Sequence, residues 1–523
     1  MATDRIRMSG LVSGLDTETI VGALVSAASY KTTKMKNTQK KLEWKQETWK
    51  SLNSEIYSLY TGKLDNLRYE GNYNAKKATI DSDIATISAD NNAILGSQTL
   101  EVRQMAKSGY LTGGKVANPQ GNTPKSSELV GDVAVMTEDA TIKINGKKIT
   151  ITGGMNMDQV AEAFAKAGVT ANYDSTNGRF FISSKSSGKD ANFEIEYNDE
   201  DTNDSGRRVL DALGLGYTYE DVDGVRTYTS TSDSDLVKIQ GQNAKIVLNG
   251  AEFESSSNTF NINGLSITAK GVSDRDETSP TGYKSSTVTT SVDVDKIYDS
   301  IKDFFKTYNE LIKKLDSYYN ADAAKGYDVL SDEEKEAMSD DEVEAWEKKI
   351  KDSLLRRDDN LNSIINLFKD NLATSVTVGG KNYSLASFGI STLGYFEAGD
   401  NEHGMYHIDG DPDDENTKSK DDSLKKMIAS DPETVSKFFS QLFKGVYTDL
   451  NQSMRSIEDT RSAMKLYDDK LLKKEYDRLT NDIAAQEAKV QEMEDHYYDK
   501  FTAMEKALSK LNTESSSFAS MLG

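Results

Sequence analysis

Residues 471–512 read LLKKEYDRLTNDIAAQEAKVQEMEDHYYDKFTAMEKALSKLN, and large apolar side chains recur in them at alternating gaps of four and three residues. A side chain returns to the same face of a helix every three to four residues, so this rhythm is typical of the seam of a coiled coil. The segment contains neither glycine nor proline. From Leu472 to Leu511 it would form a rod roughly 60 Å long, and its single apolar stripe predicts a partner helix.

The predicted seam is interrupted near its middle. Met493, Tyr497 and Phe501 follow one another at two successive gaps of four. Such a shift locally unwinds a coiled coil and predicts a bend or a change of partner. The residues expected to contact a partner in this helix are Leu472, Leu479, Ile483, Val490, Met493, Tyr497, Phe501, Met504, Leu508 and Leu511.

The partner helix is expected at the other end of the chain. One apolar face repeats in a helix predicted from about Thr33 to Tyr69, and it carries Met35, Leu42, Trp49, Leu52, Ile56 and Leu59. A shorter helix is predicted from Thr17 to about Ser29, with Asp16 as its N-cap. We therefore expect the two termini to pair into a helical leg.

Lysines give the predicted N-terminal helix a basic face between Lys31 and Lys45. In the plainest interpretation this face is solvated. The alternative is attraction to an acidic cluster in the C-terminal helix, formed by Glu487, Glu492, Glu494 and Asp495.

Composition limits the classes of function. The chain has 523 residues, too many for one hydrophobic core, and a formal net charge of −22. The acidic surplus argues against a general nucleic-acid binder, whose surface must neutralise phosphates. Cysteine is absent, which excludes disulfides, thiolate metal sites and a cysteine nucleophile. No signal-peptide pattern and no uncharged run of membrane-spanning length is present.

Between the terminal helices the pattern changes to short β-strands. Segment 141–151 predicts a hairpin turning at Asn145-Gly146, a helix ending at Gly168 follows, and 169–184 predicts a second hairpin turning at Asn177-Gly178. Further hairpins are predicted at 244–271, with turns at Asn249-Gly250 and Asn263-Gly264, and a last strand at 287–295. Segment 198–208 is interpreted as irregular.

Helices are predicted again from Asp295. Further helices are expected from Asp332 to Leu355, from Asp359 to Leu372, and from Pro432 with Asp431 as its cap. Residues 383–396 are expected to return to β structure.

These elements predict an α+β multidomain protein, whose N- and C-terminal helices pair into a coiled-coil or helical-bundle leg with β-rich domains inserted between them. Four parts are expected: a terminal coiled coil (1–40 with 480–523), a helical leg domain (41–76 with 290–479), a β-rich plate domain (77–130 with 236–289) and an inserted α+β plate domain (131–235).

Candidate chemical sites are few. The acidic loop from Asp409 to Glu415 has oxygen ligands at alternate positions, as calcium loops do, but Asp414 stands where such a loop needs glycine. The chain has three histidines and no cysteine, so few residues could form one of the usual catalytic sites. No cofactor, metal or enzymatic activity is predicted.

Several segments resemble one family throughout the chain. Residues 10–17, GLVSGLDT, look like the opening G-L-x-S-G-L-D-T of the flagellar hook-associated protein 2 family, whose motif falls here on Leu11, Ser13, Gly14, Leu15, Asp16 and Thr17. Residues 144–188 are similar to the module called the flagellin IN motif. Further resemblance lies in 244–271, 294–312, 327–361, 388–392, 431–439 and 497–512.

The resemblance implies a structural protein, not an enzyme, at the distal tip of the bacterial flagellum outside the cell. It implies a homo-oligomeric ring, with five subunits as the expectation, whose β domains form a plate and whose helical legs reach into the filament. Flagellin, the hook–filament junction proteins and a type III export chaperone would be its partners, and neither nucleic acid nor membrane insertion is expected.

We hypothesise that the terminal stripes are incompletely satisfied within one chain and pack reversibly on flagellin helices or on neighbouring copies. Two alternatives remain: another flagellar axial protein of the hook–filament junction type, and an adhesin displayed at the tip. No aromatic cluster in 131–235 indicates a carbohydrate-binding platform, although the plate could still bind glycans.

Overall fold

The computed structural model describes residues 12–197, 204–223, 225–232 and 234–522. The chain separates into two compact units. The helical unit contains the residues up to Asn74 and those from Val294 onward, and the β-rich unit runs from Ala75 to Asp293. The four-part division expected above remains a prediction.

The α-helices of the described residues are α1 (Thr17–Leu59), α2 (Asp65–Leu67), α3 (Val130–Ala134), α4 (Met157–Ala167), α5 (Ser205–Ala212), α6 (Val294–Tyr319), α7 (Asp332–Glu336), α8 (Asp340–Ser353), α9 (Asp359–Ala373), α10 (Ser423–Ser430), α11 (Pro432–Ser453) and α12 (Asp469–Leu522). A π-helical turn, Tyr60–Leu64, joins α1 to α2.

The strands of the described residues are β1 (Lys76–Ile80), β2 (Ala85–Ala89), β3 (Gly96–Gln104), β4 (Ser108–Thr112), β5 (Ala140–Ile144), β6 (Lys147–Ile151), β7 (Val169–Asp174), β8 (Arg179–Ser187), β9 (Ile195–Tyr197), β10 (Tyr217–Val222), β11 (Val225–Ser230), β12 (Val237–Ile239), β13 (Ala244–Leu248), β14 (Ala251–Ser255), β15 (Thr259–Ile262), β16 (Leu265–Ala269), β17 (Ser286–Val292), β18 (Val376–Val378), β19 (Lys381–Tyr383), β20 (Ile390–Ser391) and β21 (His407–Ile408).

The β-rich unit is built from antiparallel sheets over two clusters of buried side chains. One cluster includes Leu100, Ile246 and Ile267 and lies among a five-stranded sheet (β1-β17-β3-β13-β14) and a three-stranded sheet (β15-β16-β2). The other includes Phe164 and Phe180 and is bordered by the sheets β12-β4-β8-β7 and β6-β5-β9. Strands β10 and β11 form a separate hairpin.

The hairpin turns follow the predicted chemistry. Asn145 and Gly146 both have positive φ, 49° and 77°, as a two-residue hairpin loop matching the strand twist requires. The same pairing recurs at Asn249-Gly250 and Asn263-Gly264. At the β7–β8 connection only Gly178 is left-handed, because that loop spans four residues instead of two.

The helical unit has an aromatic core. Phe304 of α6 lies 4.3 Å, between ring centroids, from Phe443 of α11, and Phe388 lies 4.5 Å from Phe438. The side chains of Phe368 on α9 and Tyr308 on α6 are also fully buried. These contacts hold α6, α9 and α11 together. They form the base at which α1 ends and α12 begins.

Several predicted boundaries were wrong. The two N-terminal helices expected to break near Ser29 are one helix, α1, because residues 23–59 contain no glycine or proline to end it. The helix expected from Asp332 to Leu355 is divided into α7 and α8, since two serine capping boxes, at Ser331 and Ser339, each start a helix.

Other elements were missed because their sequence signals are weak. Helix α5 begins inside the segment predicted to be irregular, and the polar hairpin β10–β11 and helix α10 were not predicted; α10 is only eight residues long, so its apolar repeat spans little more than two turns. In the range 383–396, expected to be β, a 3-10 turn at Leu385–Phe388 precedes the two-residue strand β20.

Candidate interaction site on the terminal helices

The first and last long helices pack against each other in antiparallel orientation. Lys36 Nζ of α1 lies 2.7 Å from Glu487 of α12, and Gln39 Nε2 donates a hydrogen bond to Thr480 Oγ1 at 2.6 Å. Further along α1, the Trp49 ring stacks on Tyr467 at 5.4 Å. As the residue number rises along α1, it falls on the partner, so the two ends of the chain form one leg.

Asn53 of α1 connects the base of this helix pair to the loop that precedes α12. Its side chain is buried, it accepts a hydrogen bond from the Leu466 backbone N–H at 2.8 Å, and it donates to the Met464 carbonyl at 3.2 Å. Both groups belong to the loop that leads into α12. Sequence reasoning missed this residue, although the signal was present: a polar residue sits within an apolar helical face between Leu52 and Ile56.

Burial of the predicted contact residues varies along the leg. Near its base the side chains of Leu42, Trp49, Leu52, Ile56 and Leu59 on α1, and of Leu479 and Ile483 on α12, are buried. Others are only half-buried: Met35, Leu472, Val490, Met493, Tyr497, Phe501, Met504 and Leu508. Helix α12 continues unbroken through the irregularity at 493–501, where the predicted contact residues stay half-buried.

The apolar stripe of α12 continues past its half-buried residues into an exposed segment. We call this segment, with Leu511, Phe518 and Met521, the open end. Leu511, Phe518 and Met521 are 60%, 70% and 85% exposed. They are seven and three residues apart, so they share one helical face with the half-buried Leu508. On α1, Ile20 and Leu24 are also exposed. The described parts of α1 and α12 therefore present unburied apolar side chains near the start of α1 and near the end of α12.

The predicted N-terminal motif is held on α12 by Glu505. The carboxylate oxygen Oε2 accepts hydrogen bonds from the backbone N–H groups of Val12 (2.9 Å) and Ser13 (3.2 Å), and Oε1 accepts one from Ser13 Oγ. Gly14 has a positive φ of 69°, which lets the chain turn toward α1. Asp16 then caps α1 through the Thr19 N–H, and Thr17 is buried. Leu15 is exposed, and Leu11 lies outside the described residues.

These donors set the ionisation of Glu505. The hydrogen bond from Ser13 Oγ, with those from the Val12 and Ser13 N–H groups, holds the pKa of Glu505 below its ordinary value of 4.5, despite the opposing effect of burial. The residue is 1% exposed. A buried carboxylate at this position is therefore charged at neutral pH and binds the motif in that form.

The basic face of α1 is shared among several partners. Lys36 pairs with Glu487 on α12, as the alternative interpretation of that face expected. Other lysines of this face pair away from α12: Lys40 with Glu43 of α1 at 2.8 Å, Lys41 with Asp328 at 2.6 Å and Lys45 with Asp358 at 2.8 Å. Attraction between the terminal helices therefore accounts for only part of the lysine pattern.

The acidic loop considered for calcium already holds a cation from the protein itself. Lys302 Nζ lies 2.5 Å from Asp411 and 2.6 Å from Asp413. Among the described residues no group of three or more histidine, aspartate or glutamate side chains is arranged to hold a metal ion. Within the same residues, no helix combines the length and apolar character needed to cross a bilayer.

In the β-rich unit the fold assembles an aromatic cluster that the sequence interpretation of 131–235 did not foresee. Lys238 Nζ lies 4.8, 4.4 and 4.9 Å from the ring centres of Phe193, Tyr217 and Tyr228, and 2.7 Å from Glu194. The lysine side chain is buried within these rings. Since the cluster encloses a cation of the protein itself, it is an internal clamp and not an open platform.

Comparison with known proteins agrees with this architecture. The family model described as "Flagellar hook-associated protein 2 C-terminus" matches residues 241–513, and the corresponding N-terminus model matches residues 13–109. The chain is 23% identical to flagellar hook-associated protein 2 of Halalkalibacterium halodurans over 477 residues, covering 86% of this chain and 81% of that protein. It is also 23% identical to the protein of that name from Escherichia coli K12, covering 97% and 96%.

A solved structure shows the same fold. The D1-D2-D3 domains of the flagellar cap protein FliD from Escherichia coli align with a TM-score of 0.51 at 18% identity, over 78% of this chain and 96% of that one. The chain therefore shares its α+β multidomain fold with that structure. The chain belongs to the flagellar hook-associated protein 2 family. This is a structural family of filament caps, not of enzymes, and membership implies a location at the flagellar tip.

Proposed function

We propose that the protein forms a homo-oligomeric ring on the distal end of the flagellar filament and promotes the folding and insertion of flagellin there. The open end of the terminal helices is the observation that carries the proposal. Leu511, Phe518 and Met521 continue the apolar stripe of α12 into a segment that the described residues 12–197, 204–223, 225–232 and 234–522 leave exposed. Contiguous apolar surface of this kind is typical of an interaction site.

The partner of the open end, in this proposal, is an amphipathic helix of flagellin or of a neighbouring copy. An exposed stripe of side chains spaced three, four and seven residues apart binds a helix of matching periodicity. The seam is imperfect, since Gln486 lies within it and Tyr476 and Tyr497 replace aliphatic residues. Such a contact can be released and remade as subunits are added, whereas a uniform leucine seam would bind too tightly to exchange.

The experiment is complementation of a strain that lacks its cap protein. A variant combining Leu511→Ser, Phe518→Ser and Met521→Ser removes the apolar surface without removing any buried contact. We expect filaments to be short or absent and flagellin to accumulate in the medium. The matched control, Ser515→Ala with Ser516→Ala, changes exposed polar residues in the same helical turns and should support normal filaments.

Normal filament length with the triple serine variant, produced at the level of the unaltered protein, would contradict the proposal.

We further propose that the chain is exported by the flagellar type III apparatus with a chaperone on its C-terminal helix, and that it follows the hook–filament junction proteins in assembly. A pull-down tests whether the triple variant still binds the chaperone, and its amount in the medium shows whether it is exported. A variant that is not exported stays inside the cell, so a defect of export is distinguished from a defect of capping.

A further inference from the structure

The β-rich unit consists of two lobes that have separate hydrophobic cores. The first lobe, residues 75–106 and 244–293, contains the buried cluster around Leu100. The second lobe, residues 110–239, contains the buried cluster around Phe164. Among the described residues, no side chain belongs to both clusters. Lobes that share no apolar core are expected to move relative to each other unless other contacts hold them.

Two short segments of chain join the lobes. Residues 107–109 lead from the first lobe to the second, and residues 240–243 lead back; we call these two segments the joint. Within the joint, Lys107 and Gln242 form an isolated antiparallel bridge with backbone hydrogen bonds of 2.9 and 3.0 Å. The Gln242 side chain also donates to the Met105 carbonyl at 2.9 Å, which fixes this end of the joint to the first lobe.

The other end of the joint is fixed to the second lobe through two glycines. The Gly109 N–H bonds to Ser184 Oγ at 2.9 Å, and the Gly241 N–H bonds to Asn192 Oδ1 at 2.5 Å. At Gly109 the register between β4 and β8 shifts, so the strand is bulged there and its pairing is interrupted. Bending is therefore concentrated next to Gly109 and Gly241, where small residues can absorb a change in φ and ψ.

A turn of the second lobe, residues 187–189, reaches across the joint. Ser187 Oγ donates a hydrogen bond to the Ser256 carbonyl of the first lobe at 2.7 Å. The backbone N–H of Lys189 donates to Oδ1 of Asn243 at 2.8 Å. Both hydrogen bonds are exposed to solvent, so each can be exchanged for a bond to water at a small cost.

Two further contacts from the same turn are also polar. The Gly188 N–H bonds to the Lys107 carbonyl at 3.1 Å. Lys189 Nζ lies 3.5 Å from Glu254 of the first lobe, and both side chains are largely exposed. An exposed ion pair of this kind adds little stability. We call these four contacts the latch, because they connect the second lobe to the far side of the joint.

We propose that the joint is a hinge, that the latch holds it in the closed position of this structure, and that release of the latch lets the second lobe swing about Gly109 and Gly241. The first lobe carries both chain connections to the helical unit, at Ala75 and Asp293. The second lobe is attached covalently through the joint alone, so it is the part that changes direction. The hinge goes beyond the proposed function and does not depend on it, since it belongs to one chain.

The first test measures the distance between the two lobes in the purified full chain, which has no cysteine of its own. Spin labels are attached to Ser88→Cys in the first lobe and Thr150→Cys in the second, both at exposed positions. Double electron–electron resonance on the chain with an intact latch should give one narrow distance distribution. Ser187→Ala with Asn243→Ala removes two hydrogen bonds of the latch. This pair should broaden the distribution and raise the open fraction roughly tenfold or more.

Two controls accompany this measurement. Ser186→Ala with Asn261→Ala changes an exposed serine and an exposed asparagine of the same two lobes and should leave the distribution narrow. A second pair of labels, on Thr150→Cys and Thr170→Cys, lies within the second lobe. The distance between these two labels should stay unchanged in the latch variant, because the lobe moves as a body.

A second variant opens the hinge by a different route. A Cβ added at Gly241 would lie 2.6 Å from the Gly188 carbonyl oxygen of the latch turn. Gly241→Ala should therefore push that turn away and shift the distance between the lobes in the same direction as the latch variant, with every latch side chain still present. The matched control is Gly154→Ala, where the nearest atom to the added Cβ is Thr152 Oγ1 at 4.0 Å.

Three results would overturn the inference. A narrow, unchanged distance between the lobes in Ser187→Ala with Asn243→Ala would show that the joint is rigid without its latch. A distribution that is equally broad when the latch is intact would show that the latch holds nothing. Broadening of the label pair within the second lobe would show that the lobe itself unfolds, and the change between the lobes would then not be a hinge motion.

Discussion

Ser13 and Glu505 are joined by hydrogen bonds from the Ser13 hydroxyl and backbone N–H to the Glu505 carboxylate, although 492 residues separate them in the chain. The contact places the beginning of the described chain on the outer part of the last helix. It explains why a serine and a small left-handed glycine occur just before α1, and why a buried glutamate interrupts the seam of α12. The described part of the N-terminal motif is thus packed against the terminal helices.

Substitution of Glu505→Gln should release the N-terminal motif. The neutral amide offers one acceptor oxygen in place of two charged ones, and its NH₂ group would face the backbone donors of Val12 and Ser13. We expect the amide hydrogens of Val12 and Ser13 to exchange faster with solvent, measured by hydrogen–deuterium exchange on N-terminal peptides. The helices themselves should keep their protection.

The matched control for this substitution is Glu492→Gln, an exposed glutamate on the same helix. It should leave the exchange of the N-terminal peptides unchanged. Equal protection in Glu505→Gln and the unaltered protein would show that the carboxylate does not hold the motif.

The same contact predicts a dependence on pH. Docking holds the pKa of Glu505 below 4.5, so the docked state binds fewer protons than the released state between the two pKa values. The stabilisation is therefore fully present above pH 4.5 and is lost as the pH falls through the lowered pKa. Exchange of Val12 and Ser13, corrected for its intrinsic pH dependence, should show this step in the unaltered protein and no step in Glu505→Gln.

Asn53→Ala should destabilise the helical unit. The substitution leaves the buried Leu466 N–H and the Met464 carbonyl without their partner, and we expect a loss of about 2–3 kcal/mol in the free energy of unfolding. All three tryptophans, Trp44, Trp49 and Trp346, lie in this unit, so urea unfolding followed by tryptophan fluorescence measures the effect. Lys50→Ala, on the exposed face of α1, is the control, and an equal midpoint for both variants would contradict the role of Asn53.

Glu194→Gln should destabilise the β-rich unit alone. Glu194 lies 2.7 Å from Lys238 and accepts hydrogen bonds from Tyr217 and Tyr228 at 2.8 and 2.9 Å. Burial already lowers the pKa of Lys238 to about 8, and without the carboxylate the buried cation loses its counter-charge. We expect a loss of about 3 kcal/mol in the free energy of unfolding.

This effect should appear in the far-UV circular dichroism transition of the β structure. The tryptophan transition should stay in place, because that unit contains no tryptophan. Glu220→Gln, on the exposed side of β10, is the control. A shift of the tryptophan transition by Glu194→Gln, or no shift of either signal, would contradict the assignment.

The sequence pattern predicted those features that depend on local chemistry. Asp16 and Asp431 cap helices, and Asn145-Gly146 forms a two-residue turn, because each requirement is met by neighbours in the chain. The pairing of the termini followed from two apolar stripes with nothing else to cover them. Helix α1 is longer than predicted because the polar residues near Ser29 do not end a helix when no glycine or proline accompanies them.

Contacts that bring distant residues together could not be predicted in the same way. Glu505 and Asn53 look like ordinary polar residues of amphipathic helices until their partners, hundreds of residues away, are known. The cluster around Lys238 depends on the pairing of β12 with β4 and on the position of Phe193 beside it.

The pairing of the two chain ends is the claim on which the account depends, and cross-linking between α1 and α12 tests it most directly. In the cysteine-free chain, Gln39→Cys with Thr480→Cys should be joined within one molecule by a short bis-maleimide, because the native side chains are 2.6 Å apart. Gln39→Cys with Gln491→Cys, which places the second site about 16 Å further along α12, should react far more slowly. Equal reaction of both pairs, or cross-links only between molecules, would contradict the paired leg.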